Sequence, residues 1–313
     1  MTEAQVHDKV RTPAEAVRTY VRDGIRLRSG GIGLRKPFAL TYEIMRQRVK
    51  DLTFLLSGWT EDADMLLGTG QLARLEGSYL GLEAFGLANN YRRAMEKGIP
   101  RRPEIEEYSN FGMTMRFMAA SMGLPFMPIR SHLGSDLLRV ESFRHPKAHV
   151  MDDPFGSGAK VALLPACPAD VALVHAQRAD HDGNVQVWGQ IGDDLWGTMS
   201  GRTIIASVEE IVDTDVVRRD PNRTLIPAFR VDAIVPAPFG AHPYQCQGYY
   251  DLDAAFRKMY AAAAQTREGF LAFLDEWVYG VDDHEGYLRK LGKERLSGLG
   301  AEPILSDPVS YGY

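Results

Sequence analysis

The chain holds only two cysteines, Cys167 and Cys246, among 313 residues. They stand far apart and in no CxxC or Cys/His ligand spacing, so neither a disulfide framework nor a metal site is signalled. No apolar run approaches the roughly 18 residues of a membrane helix, and Met1 to Arg11 lacks the apolar core of a secretory signal. A cytoplasmic protein with no membrane segment is expected. No excess of basic charge is present either: 36 Lys plus Arg against 41 Asp plus Glu leave a net charge of −5, which disfavours nonspecific nucleic-acid binding. Gly-x-Ser-x-Gly, HExxH, Gly-Lys-Ser/Thr and the GxGxxG dinucleotide fingerprint are all missing. Common serine hydrolases, zinc proteases, P-loop enzymes and dinucleotide-binding enzymes are therefore disfavoured.

What is present is an ordinary globular composition, 45% hydrophobic, 10% aromatic and 25% charged. The length is about twice the guide of roughly 150 residues per domain, and a single domain over residues 1–313 is the economical reading. Thr12-Pro13-Ala14-Glu15 has the cap, the proline and the glutamate that open a helix, here to about Arg22. Ile25 to Ser29 alternates as a short strand and runs into Gly30-Gly31-Ile32-Gly33. Phe38 to Val49 reads as a helix, Asp51 to Gly58 as a buried strand, Glu61 to Gly68 as a helix and Leu72 to Tyr79 as a strand. A long helix is expected over Glu106 to Met122, then a strand at Leu124 to Ile129. Val161–Leu164, Val171–His175, Thr203–Val208 and Val231–Val235 add short β-branched runs. Strands alternating with helices predict an α/β fold, a mainly parallel open sheet with helices on both faces. Asp253 to Tyr279 has a helical period, within a C-terminal helical segment of about 253–295, and 296–313 reads as a loose tail.

Four segments could carry chemistry. In the first, a strand enters Gly30-Gly31-Ile32-Gly33, where backbone N–H groups can approach a ligand oxygen closely; a tight turn requiring positive φ would look the same. The second joins Glu104 to Asn110 with Pro125 to Asp136. Its acids could supply a general base, Glu107 beside Ser109 being the candidate, while Arg130 and Ser135 could hold a carboxylate or phosphate. Acids that merely favour a helix start are the structural alternative for Glu104 and Glu106. The third, Asp170 to Asn184, ends a buried strand in polar residues where open α/β sheets bind ligands, with Arg178 as binder or as an ion-pair partner of Asp180. The fourth, Ala237 to Pro243 leading to Tyr249-Tyr250-Asp251, offers His242 and an aromatic wall, or simply packing.

Taken in this order, the segments resemble the α (A) subunit of family I coenzyme A transferases, of the glutaconate CoA-transferase type. The resemblance spans about Arg11 to Tyr279. It rests on Asp170–Asn184 (DVALVHAQRADHDGN), Gly123–Asp136 (GLPFMPIRSHLGSD), Glu107–Met118 (EYSNFGMTMRFM) and Gly240–Asp251 (GAHPYQCQGYYD). Ile32 stands where the family's Gly-Gly-Phe loop has Phe, and Lys36-Pro37 where a Gly-x-Pro ending is usual. The resemblance implies a heterodimer or heterotetramer with a β (B) subunit. The glutamate of that second chain would attack an acyl-CoA and pass CoA through a glutamyl-CoA thioester to a second carboxylic acid. It implies no tightly bound cofactor, coenzyme A thioester being a substrate, and no metal. Gly30, Gly31, Ile32 and Gly33 would lie near the thioester oxyanion, Glu107, Ser109 and Arg130 nearer the acyl group, and Asn110, Ser135, Arg178 and His242 would contact substrate. The family's Glu-Asn-Gly or Glu-Ser-Gly nucleophile context is absent here, and the look-alike Glu76-Gly77-Ser78 reads as structural. Three alternatives stay open. The first is a ring-opening hydrolase of the same fold, acting on a CoA thioester of steroid breakdown with Glu107 as general base. The others are a non-catalytic CoA-binding half and a regulatory protein that only binds ligand.

Overall fold

The computed structural model describes residues 8–58, 60–140, 143 and 146–301. In chain order the strands are β1 (Arg26–Ser29), β2 (Leu52–Leu56), β3 (Leu72–Gly77), β4 (Glu104–Glu107), β5 (Phe126–Ile129), β6 (His149–Asp152), β7 (Lys160–Pro165), β8 (Ala169–Asp180), β9 (Val185–Gln186), β10 (Gly201–Val212), β11 (Thr224–Ile226) and β12 (Ala233–Pro236). The helices are α1 (Pro13–Tyr20), α2 (Phe38–Arg46), α3 (Glu61–Gly68), α4 (Asn89–Lys97), α5 (Asn110–Ser121), α6 (Asp194–Met199), α7 (Thr214–Arg219), α8 (Ala254–Ala263), α9 (Arg267–Leu274), α10 (His284–Leu291) and α11 (Lys293–Gly298).

The strands β4-β3-β2-β1-β8-β10-β12 run parallel in that spatial order. Because β8 is far longer than β1, its last residues outrun that neighbour and pair antiparallel with β9, which pairs in turn with β11. A parallel sheet needs cover on both faces, and every residue of β2, Leu-Thr-Phe-Leu-Leu, is buried. Phe54 and Leu56 enter the main core beneath α1, α2, α3 and the C-terminal helices, whereas Leu55 joins Met113 and Phe117 of α5 on the opposite side. A three-stranded antiparallel sheet, β5-β7-β6, caps the α5 side.

Local signals hold where they are self-contained. Thr12 accepts from the Glu15 amide at 3.2 Å and Glu15 from the Thr12 amide at 2.9 Å, closing the capping box that starts α1. The expected helix from Glu106, by contrast, begins later. Glu104–Glu107 is the edge strand β4, with Glu107 in register with Gly77. The helix cap is Ser109, whose Oγ accepts from the Gly112 amide at 2.9 Å. The expected helix over Asp253 to Tyr279 breaks after Ala263, because Thr266 caps a new helix by accepting from the Gly269 amide at 3.0 Å. The beginning of the expected tail is ordered, as α11 and a bridge from Gly300 to Tyr250; the rest of it, 302–313, lies outside the described residues.

The C-terminal helices are tied to the sheet domain by buried polar links. Arg257 of α8 meets Glu61 of α3 at 2.6 Å, and Tyr260 donates to Asp64 at 2.6 Å. Burial pushes the Asp64 carboxyl up to about 6.

Candidate active site at the carboxyl edge of the parallel sheet

Ligands of open parallel sheets bind beyond the carboxyl ends of the strands. Here that edge gathers Gly30–Gly33 after β1, Ser57 after β2, Ser78 after β3 and Ser109 with Asn110 after β4. The Ser57 carbonyl accepts from Ser78 Oγ and, at 3.4 Å, from Asn110 Nδ2, so three successive strand ends are linked.

The glycine loop is held by a buried set of charges. Asp194 Oδ1 accepts the Gly31 N–H at 2.7 Å and meets Arg28 at 3.2 Å, while its Oδ2 meets Arg35 at 3.1 Å. Arg28 also meets Asp193 at 3.1 Å, and Asp193 accepts from Ser57 Oγ at 2.5 Å. All four charged side chains are buried, two cations against two anions, so the desolvation of each is offset within the cluster. Gly31 has φ +79°, and a Cβ there would lie 2.1 Å from the Leu34 carbonyl oxygen. Gly30 is pressed on β8, where a Cβ would lie 3.0 Å from the Leu173 oxygen. Only glycine fits these two positions.

Ser109 caps α5 and contacts His132 Nε2 twice, through its N–H at 3.0 Å and its Oγ at 2.9 Å. Because Nε2 accepts the backbone N–H, the ring is neutral with its proton on Nδ1. Burial, with Lys147 and Arg116 nearby, pulls His132 down to about 4. In the unfolded chain an imidazole titrates near 6.5. The contribution of His132 is therefore complete above pH ~6.5 and is lost as the pH falls toward 4. We expect the urea midpoint of the protein to fall over this range, and His132→Gln to flatten that pH dependence; an unchanged slope in the variant would refute the assignment.

The other expected residues divide. Glu107 ends β4, three strands from β1, which at about 4.8 Å per strand puts its backbone ~14 Å from the end of β1. It lines a small cavity of about 300 Å³ with Tyr91, Arg102 and Val140 rather than the glycine loop. The Arg130 side chain is exposed and makes no hydrogen bond or ion pair among the described residues. Ser135 turns its Oγ back onto the His132 carbonyl at 2.8 Å. Arg178 donates to Gln186 at 2.7 Å and covers Trp188, five residues beyond Leu173, the partner of Ser29. At about 3.3 Å per residue that is ~16 Å past the end of β1. His242 is buried with both ring nitrogens engaged, by Tyr287 at 2.6 Å and Asp253 at 3.0 Å, so it anchors the C-terminal helices and presents nothing to a ligand.

Ser57, Asp193 and Asp194 belong to the site, and no motif in the sequence singles them out. The grouping of His175, Glu209 and Cys246 has metal-ligating residue types, but its imidazole and carboxylate are already engaged within the protein. His175 bonds Ser207 at 2.9 Å and Glu209 at 2.5 Å, and Glu209 accepts from Tyr250 and the Phe239 amide, each at 2.7 Å. It ties β8 and β10 to the chain beyond β12.

The fold and site define an α/β protein with a clamped glycine loop at the carboxyl edge of a parallel sheet. The chain belongs to the coenzyme A transferase family, whose model matches residues 10–237. It is 37% identical over 310 residues to the α (A) subunit of glutaconate CoA-transferase from Acidaminococcus fermentans, covering 95% of this chain and 96% of that one. The crystal structure of that enzyme superposes with a TM-score of 0.89 over 94% of this chain and 96% of the other. The corresponding (A) subunit of 3-oxoadipate CoA-transferase from Pseudomonas knackmussii is 33% identical, covering 90% and 98% of the two chains. A cholesterol ring-cleaving hydrolase IpdA subunit of Rhodococcus jostii is 30% identical, covering 88% and 94%. Among the described residues no helix is long and apolar enough to cross a membrane.

Proposed function

We propose that this chain is the α subunit of a two-subunit CoA-transferase and forms the oxyanion side of a site whose nucleophilic glutamate belongs to the β subunit. That glutamate's carboxylate adds to the thioester carbonyl of an acyl-CoA, and the negative charge that develops on the carbonyl oxygen meets backbone N–H groups of the glycine loop. Collapse expels the CoA thiolate and leaves an acyl-glutamyl anhydride. The thiolate then attacks the glutamyl carbonyl, releasing the first acid and forming glutamyl-CoA. A second carboxylate reverses the sequence, takes the CoA and regenerates the glutamate. Each step forms one acyl bond and breaks one, so no redox partner or metal is required.

The observation that carries this reading is the clamped loop after β1 in a chain of this family. Glu76, the one glutamate in a look-alike context, supports it from the other side. It is buried against Arg26 at 2.6 Å and Arg116 at 2.8 Å, out of reach of a thioester. The test is product analysis of the co-expressed subunits with an acyl-CoA, with and without a second carboxylic acid. CoA transferred only when the acid is present, with ping-pong kinetics, is the expected result. Ring-opened or hydrolysed product without an acceptor acid, lost in Glu107→Ala, would move the assignment to the hydrolase.

The same reading needs a docking surface near the site for the β subunit. The outer face of the β5-β7-β6 sheet is apolar where alternation would make it polar: Phe126, Pro128, Met151, Val161 and Leu163 line a groove of about 750 Å³. Phe111, the residue after Asn110, joins this groove to the strand-end cluster. At its rim Phe155 is 95% exposed on a turn braced by Asp153, which accepts from the Phe155 amide at 3.0 Å. A rigidly presented aromatic is the form an interface anchor takes. We expect Phe155→Asp to weaken assembly of the two subunits by about tenfold or more. Titration of one against the other by analytical ultracentrifugation checks this, and unchanged assembly would place the partner elsewhere.

A further inference from the structure

The N–H groups of the glycine loop are not equivalent, and their accounting tells which of them can serve the oxyanion. The Gly31 N–H is consumed by Asp194 Oδ1 at 2.7 Å, inside the protein. Gly30 lies buried against β8. Ile32 and Gly33 are half-buried, and their N–H groups make no hydrogen bond with any other described residue. Two consecutive backbone donors that no protein atom takes are open to a ligand oxygen or to water.

The loop is also prevented from relaxing to satisfy them. Asp194 pulls on Gly31 from one side, and Gln245 donates to the Gly33 carbonyl at 3.0 Å from the other. The Arg35 amide, two residues on, donates to the Gln245 carbonyl at 2.9 Å, and its guanidinium meets Asp194 at 3.1 Å and the Gln190 carbonyl at 2.6 Å. The Ile32 side chain packs over the segment leading into Asp193, within 4 Å of where a Cβ on Gly192 would lie. Asp194 is thus fixed by two guanidiniums and in turn fixes the peptide immediately before the two free donors.

We infer that the Ile32 and Gly33 N–H groups are the oxyanion donors, and that Asp194 is the positioning residue that holds them in place through Gly31. This deepens the transferase reading and rests on it. A developing alkoxide would find two preset donors, and none of the clamp residues would need to touch substrate. Ile32, where the family loop has Phe, then serves through its backbone, which explains why its side chain can differ.

The test combines exchange with kinetics on the two-subunit enzyme. Single-residue hydrogen–deuterium exchange of the wild type is read first: slow exchange at Gly31, fast exchange at Ile32 and Gly33, and protection of those two on adding acyl-CoA are expected. Protection of Ile32 and Gly33 in the free enzyme, or none on adding acyl-CoA, would overturn the inference whether or not any variant folds. Asp194→Ala is expected to lower kcat by about a hundredfold with KM changed by less than about threefold, because the donors act chiefly on the transition state. Asp194→Asn, which keeps an acceptor for Gly31, should recover part of that loss. Folded Asp194→Ala with wild-type kcat would also overturn it. Failure of the transferase reading itself is distinct: the wild-type pair would then transfer no CoA at all.

Discussion

Gly31→Ala is expected to lower kcat of the assembled enzyme by about 10²–10³, the range seen when an oxyanion donor is lost. The added methyl would sit 2.1 Å from the Leu34 oxygen and 3.0 Å from the Arg35 carbonyl carbon and the Lys36 nitrogen, all backbone atoms that cannot swing away. The residue also holds φ +79°, which costs an L residue about 1–2 kcal/mol before any clash. The loop must therefore move, and with it the bond to Asp194 and the two donors that follow. Gly24 provides the control. It has nearly the same φ, +78°, but a Cβ there meets nothing within 4 Å. Gly24→Ala should cost about 1–2 kcal/mol in urea unfolding and leave kcat unchanged. Equal kinetic losses in the two variants would show that the loop contributes only general stability.

Glu76→Gln is expected to destabilise the fold by about 3–5 kcal/mol while the folded fraction turns over at close to the parent rate. Glu76 is fully buried and holds Arg26 and Arg116 at once. Arg116 in turn stacks on Tyr108 at 3.9 Å and donates to the Pro165 carbonyl at 2.9 Å, so this carboxylate joins β3, α5 and the small sheet. Neutralising it leaves two guanidiniums close together, with Glu106 at 3.9 Å from Arg116. Chemical denaturation gives the stability change and active-site-normalised kcat the turnover. A stable but inactive Glu76→Gln protein would instead make Glu76 the nucleophile and remove the need for one on the β subunit.

The parts of the fold visible in the sequence are those whose cause is local. Thr12-Pro13-Ala14-Glu15 carries its own cap, and the short β-branched runs between Pro, Asp and Gly carry their own boundaries. β4 is different. Glu104-Ile105-Glu106-Glu107 resembles a helix start because acids favour that position, and only its pairing with β3, thirty residues earlier in register, makes it a strand. The glycine loop is legible as a close-approach turn, but its clamp is not. Asp194 lies 163 residues from Gly31, and Arg28 in Arg-Leu-Arg-Ser looks like ordinary strand alternation until β8 and α6 bury it. His242 shows the reverse failure. A histidine in a Gly-Ala-His-Pro turn suggests a ligand contact, yet Tyr287, 45 residues away, and Asp253 consume it. Long-range polar pairing decides each of these positions, and no periodicity reports it.

The central claim, that this chain shapes an acyl-transfer site while its partner supplies the covalent carboxylate, has one direct measurement. The co-expressed subunits are incubated with acyl-CoA, reduced with borohydride to trap a glutamyl-CoA thioester, and digested for mass spectrometry. A reduced glutamate on the β subunit, with every glutamate of this chain unmodified, is the predicted result. A modified glutamate on this chain, at Glu76, Glu107 or elsewhere, would contradict it, as would CoA transfer by this chain alone.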